Sequence, residues 1–185
     1  MAIDEREQRA SETLVSLVTM GTSGTRLGAN GDGKRDEPSG KVIRMGVSRI
    51  KQFAHSDLRL LEAFVRGELT LVLSELTLRE LDVAPTEVRR HVASVPEAHV
   101  EALSVSSEAE ELAAAYIADG AVSERMVADA LHIALASVAR VDVLVSWNFK
   151  HIVNLRRIHA YNAVNLKNGY PLLEIRPPRE VPGDE

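Results

Sequence analysis

Two periods alternate along this chain. In HSDLRLLEAFVRGE the apolar residues Leu58, Leu61, Phe64 and Val65 recur at helical spacing, with Ser56 placed to cap the start and Gly67 the end. LTLVLS (69–74) comes next, apolar on both faces as strands of a parallel sheet are. A helix through Leu78 and Leu81 succeeds it, and Pro85 stands where the first turn of another begins, over TEVRRHVASV. Ser107 and Glu110 have capping-box spacing and open a helix through Ile117. Ser123 caps a further helix reaching about Arg140, and VDVLVSW (141–147) is a second doubly apolar strand. NLRRIHAYNAVN is helical, and PLLEIRPPREV closes with a short strand. Helices alternating with buried strands predict an α/β fold with a parallel sheet.

The amino-terminal part has a different character. Residues 5–20 place Leu14, Leu17 and Val18 on one side of an amphipathic helix. The stretch from Gly21 to Lys41 holds six of the eleven glycines and almost nothing apolar. Too little apolar surface is available there to offset ordering entropy, so residues 1–41 read as a poorly ordered extension and 42–185 as the domain. KVIRMGVSRI, at the boundary, reads as a short strand or turn.

With 45% hydrophobic residues the chain can build a core. It has no cysteine, so disulfides and thiolate metal sites are excluded. No apolar run approaches the roughly 20 residues that span a bilayer, and MAIDEREQRASE is unlike a secretory signal, so the expected location is the cytoplasm, with no membrane partner. The net charge of −5 is unevenly spread. Glu97 to Asp129 contains eight acidic residues against Arg125, whereas Arg140 to Arg179 contains seven basic residues against Asp142 and Glu174. An acidic segment next to a basic one suits a metal-dependent phosphodiesterase, and it is equally common on inert surfaces.

Gly28, Gly33 and Lys34 have P-loop spacing, but Arg35 stands where Ser or Thr would hold magnesium, and no buried strand precedes them. That stretch is a loop. The informative residues lie elsewhere. Asp129 falls in the first turns of its helix, Asn148 comes after the strand ending at Trp147, and Lys150 and His151 come just after it. Glu80 lies on the helix leaving the other strand. In a parallel sheet all of these leave the same edge, where open α/β folds bind ligands. Clustered oxygens there suit Mg2+ or Mn2+. Each residue also has a plain structural role open to it. Glu80 lies three residues after Thr77 and fits a capping box, Asp129 fits a helix dipole, His132 a packed or surface histidine, Trp147 a core residue, and Arg156 and Arg157 a solvated face.

SELTLREL (74–81) and DALHIALASVARVDVLVSWNFKHIVN (129–154) together resemble the PIN-domain proteins, including the VapC-like toxins of bacterial toxin–antitoxin pairs. Ser146, Asn148 and His151 match that family's Thr/Ser-x-Asp/Asn-x-x-Asp/His ending, and the resemblance runs over residues 54–182. It implies a three-layer α/β fold with a central, mostly parallel sheet flanked by helices. It also implies an endoribonuclease in which Mg2+ or Mn2+ activates water to cut RNA. Carried onto this sequence, Glu80 matches the second acid of the site, Asp129 the third, and Asn148 the position of a fourth. Lys150, His151 and Arg156 become RNA contacts, and a small antitoxin protein and a second copy of the chain become expected partners. The family's first acid has no counterpart in VIRMGVSRI; Asp4 and Asp57 are the nearest carboxylates. The alternative is therefore a PIN module that has lost catalysis and binds RNA or a protein.

Overall fold

The computed structural model describes residues 18–20, 41–43 and 55–181, with backbone alone for 18–20, 41–43 and 55–57. Among these residues the chain is mixed α/β. Its strands are β1 (Val18–Met20), β2 (Lys41–Ile43), β3 (Leu69–Ser74), β4 (Val100–Leu103), β5 (Val143–Val145) and β6 (Glu174–Arg176). Its α-helices are α1 (His55–Arg66), α2 (Glu75–Asp82), α3 (Thr86–Ala93), α4 (Ser107–Ala118), α5 (Val127–Val138) and α6 (Leu155–Lys167). None of the described helices is long and apolar enough to cross a membrane.

Two parallel pairs form the strand framework, β3 with β4 and β5 with β6. β2 runs parallel to β3 along its whole length but meets β5 at one residue pair, Ile43 with Val143. That register aligns Leu71, Ile43 and Val143, so β3 and β5 point the same way and end on the same side. β1 pairs antiparallel with β5, Val18 opposite Val145. The helix expected over residues 5–20 is thus a strand at its last three positions, and its remainder lies outside the described residues. Residues 18–20 and Lys41, all within the segment read as an extension, are paired strand.

Two apolar clusters hold the molecule together. One joins α4, α5 and α6 through Leu112, Tyr116, Ile133, Tyr161 and Val164; the other joins α1, α2 and α3 to β3 through Leu61, Phe64, Leu71, Leu81 and Val88. β5 serves both, with Leu144 in the first and Val145 in the second, as alternation along a strand requires. Val72 is also buried, so β3 is covered on both faces and reads as continuous apolar sequence. The polar exception within the first cluster is a closed network. The Tyr116 hydroxyl on α4 donates to Asn165 Oδ1 on α6, Asn165 Nδ2 donates to Ser137 Oγ at 3.0 Å, and Ser137 Oγ donates to the Ile133 carbonyl at 3.0 Å.

Helix boundaries reflect local chemistry. α1 closes in a Schellman turn, with Gly67 N on the Phe64 carbonyl at 3.1 Å and Glu68 N on the Ala63 carbonyl at 3.0 Å. Gly67 takes φ 74°, and a Cβ there would lie 2.7 Å from His99 Nε2, whose ring donates from Nδ1 to the same Phe64 carbonyl. α5 ends in the same turn with a residue that is not glycine: Arg140 has φ 50°, and Val141 N reaches the Ala136 carbonyl at 3.2 Å. Ser106, one residue before the expected cap, accepts from Ala109 N at 3.2 Å and opens α4. A 3-10 turn over Glu124–Met126 separates Ser123 from α5.

Candidate functional site

β3 and β5 each run into a buried serine that organises the next turn of chain. Ser74 Oγ accepts from Thr77 N at 3.1 Å and caps α2. Ser146 Oγ accepts from Asn148 N at 3.0 Å and turns the chain after β5. Since the two strands are parallel, α2 and the loop after β5 leave from one edge. Capping by Ser74 also removes the capping-box role open to Glu80, which lies beyond the first turn of α2. Its side chain crosses instead to α5, where His132 Nε2 meets Glu80 Oε1 at 2.9 Å.

Asp129 stands one turn before His132 on the same face of α5, in the first turn of that helix. It is 1% exposed, far more buried than a dipole-satisfying surface carboxylate needs to be. Burial first, and then the negative charge of Glu80, push its carboxyl up to about 7. Glu80 Oε2, Asp129 Oδ2 and His132 Nδ1 are all buried without a hydrogen-bond partner. The structure therefore brings Glu80 and Asp129 together and adds His132, which sequence reasoning leaves as a packed or surface histidine. The signal available for it is the three-residue offset from Asp129, which puts both side chains on one helical face.

Asn148 occupies the turn after β5. Its Oδ1 accepts from His151 N at 3.0 Å and its carbonyl accepts from Ile152 N and Val153 N, so it shapes this loop. Lys150 is exposed and His151 half-buried. Burial, then the nearby positive charges of Lys150 and Arg157, hold the His151 imidazole below its ordinary range. The exposed Phe149 has the Arg179 guanidinium 5.8 Å from its ring centre. Asn154 caps α6 by accepting from Arg156 N at 3.1 Å, which leaves the Arg156 side chain exposed, while Arg157 Nη1 donates to the Ala121 carbonyl at 2.6 Å.

Tyr161 joins the acidic and basic sides. Its hydroxyl donates to the His151 carbonyl at 2.8 Å. Burial first and the Asp129 charge second push that hydroxyl up to about 12, with Arg157 acting in the opposite direction. Asp129 and Arg157 thus both lie within electrostatic reach of a tyrosine that holds the His151 backbone.

Among the described residues no group of three or more His, Cys, Asp and Glu side chains is arranged to hold a metal ion. Asp57 lies in the first turn of α1, and Asp4 lies outside the described residues. Two carboxylates with one buried, unpartnered oxygen each still fit a hydrated Mg2+ or Mn2+, which binds proteins through one or two carboxylates and keeps several waters. Compared with known proteins, the chain matches no family model, no curated protein and no solved structure.

Proposed function

We propose that this chain is a PIN-type, Mg2+- or Mn2+-dependent endoribonuclease with a three-layer α/β architecture, the toxin-like member of a type II toxin–antitoxin pair. One observation carries the reading. Glu80 and Asp129, from helices far apart in sequence, lie within electrostatic reach of each other, and each keeps a buried oxygen without a donor. Two carboxylates so placed repel each other, and a divalent cation relieves that repulsion. Glu80 and Asp129 would hold the ion, and Asn148, after β5, stands as the third oxygen. When bound, the ion supplies an acidified water and neutralises charge at the phosphodiester. Lys150, His151 and Arg156 would meet the RNA backbone, towards which the exposed Lys150 and Arg156 side chains can swing.

The test is cleavage of single-stranded and structured RNA by the purified chain, with EDTA or Mn2+. Mn2+-dependent cutting that disappears in Asp129→Ala is the expected result, and cutting that persists in that variant rejects the site. A second reading is favoured by the donors already present: His132 occupies one Glu80 oxygen and His151 N occupies Asn148 Oδ1. It makes the chain a PIN module that binds RNA or a protein without cutting. Tight Mn2+ binding by calorimetry counts against it, and a neighbouring reading frame for a small basic protein favours the toxin assignment.

A further inference from the structure

Resting on the nuclease reading, we propose that His132 is a positioning residue, holding Glu80 Oε1 so that Oε2 is left to a divalent cation shared with Asp129. The imidazole is fully buried and its Nε2 lies 2.9 Å from Glu80 Oε1. Its Nδ1 is buried and meets no acceptor. An ionised carboxylate only accepts, so the ring nitrogen that meets Glu80 Oε1 must carry a hydrogen. The hydrogen therefore belongs on Nε2, and the ring donates one hydrogen bond to the carboxylate.

That bond fixes which Glu80 oxygen is spent. A carboxylate turning freely presents either oxygen; one oxygen held by a donor leaves the other aimed. The donor comes from α5, one turn from Asp129, so the helix that carries one proposed ligand also sets the orientation of the other. Carboxylate ligands are commonly held this way, and loss of the holding group weakens metal binding by about 10–100-fold. His132 does not itself join the ion, because Nε2 is taken and Nδ1 is enclosed.

Mn2+ binding to the full chain, followed by the paramagnetic resonance of free Mn2+, tests this in wild type, Asp129→Ala, His132→Leu and His132→Gln. Glutamine can place an amide donor near the position of Nε2, and leucine cannot. Affinity lowered at least about tenfold in His132→Leu and returned to within about threefold of wild type in His132→Gln is the expected pattern. Wild-type affinity in His132→Leu overturns the positioning role and leaves the nuclease reading standing. No Mn2+ binding by wild type, or undiminished binding by Asp129→Ala, overturns the nuclease reading and this inference with it. If His132→Leu loses its circular dichroism signature, ring 15N shifts of wild-type His132 decide: an Nε2–H tautomer supports the proposal, and an Nδ1–H tautomer overturns it.

Discussion

At Asp129 the loss of water and the facing Glu80 charge both favour the protonated carboxyl, and this sets a pH dependence. Below the unfolded pKa of about 3.9, folded and unfolded states both hold the proton and the residue exacts no penalty. As pH rises through the folded value of about 7, that favourable contribution is lost, at most about 4 kcal/mol for the metal-free chain. Urea denaturation in EDTA should therefore show Asp129→Asn losing less stability than wild type between pH 4 and pH 7; parallel curves would contradict it. At pH 8, Mn2+ should raise the wild-type melting temperature and leave that of Asp129→Asn unchanged. Arg140 presents a separate local strain. A left-handed conformation costs a non-glycine residue about 1–2 kcal/mol, part of which glycine gives back as chain entropy. Arg140→Gly should stabilise the fold by about 0.5–1 kcal/mol in the same assay, while Gly67→Ala, strained in φ and against His99, should destabilise it.

Between elements, the buried Tyr116–Asn165–Ser137 network ties α4, α5 and α6, and Tyr116→Phe strands the Asn165 carbonyl oxygen. A loss of about 1–3 kcal/mol in chemical denaturation is expected, with the helical content unchanged. Elements whose apolar residues face a core are legible in the sequence. LTLVLS is β3 from Leu69 to Ser74, and the Asn154 cap and the periodicity after it give α6. β4 leaves no such trace because Glu101 and Ala102 are exposed; its strand character comes from pairing with β3, a partner that no local pattern reveals. At Val18–Met20 the expected helix gives way to strand for the same reason: that segment is defined by β5, more than a hundred residues away. At the site, carboxylates can be found singly from their helices. The Glu80–His132 bond cannot, because it depends on how α2 and α5 lie against each other.

Across the whole molecule the net charge is −5, so any hold on RNA must be local, at the basic residues after β5. Lys150→Glu should weaken RNA binding and flatten its salt dependence without altering Mn2+ affinity, as filter binding at several salt concentrations would show. β5 has a further consequence. Its residues are shared property: Leu144 belongs to one apolar cluster, Val145 to the other, and neither cluster can come apart while the strand keeps both neighbours. The two clusters are therefore expected to melt in one event rather than in sequence. Amide exchange at Leu144 and Val145 should be among the slowest in the chain and proceed only through global opening, making this short strand the keystone on which both assemblies lean.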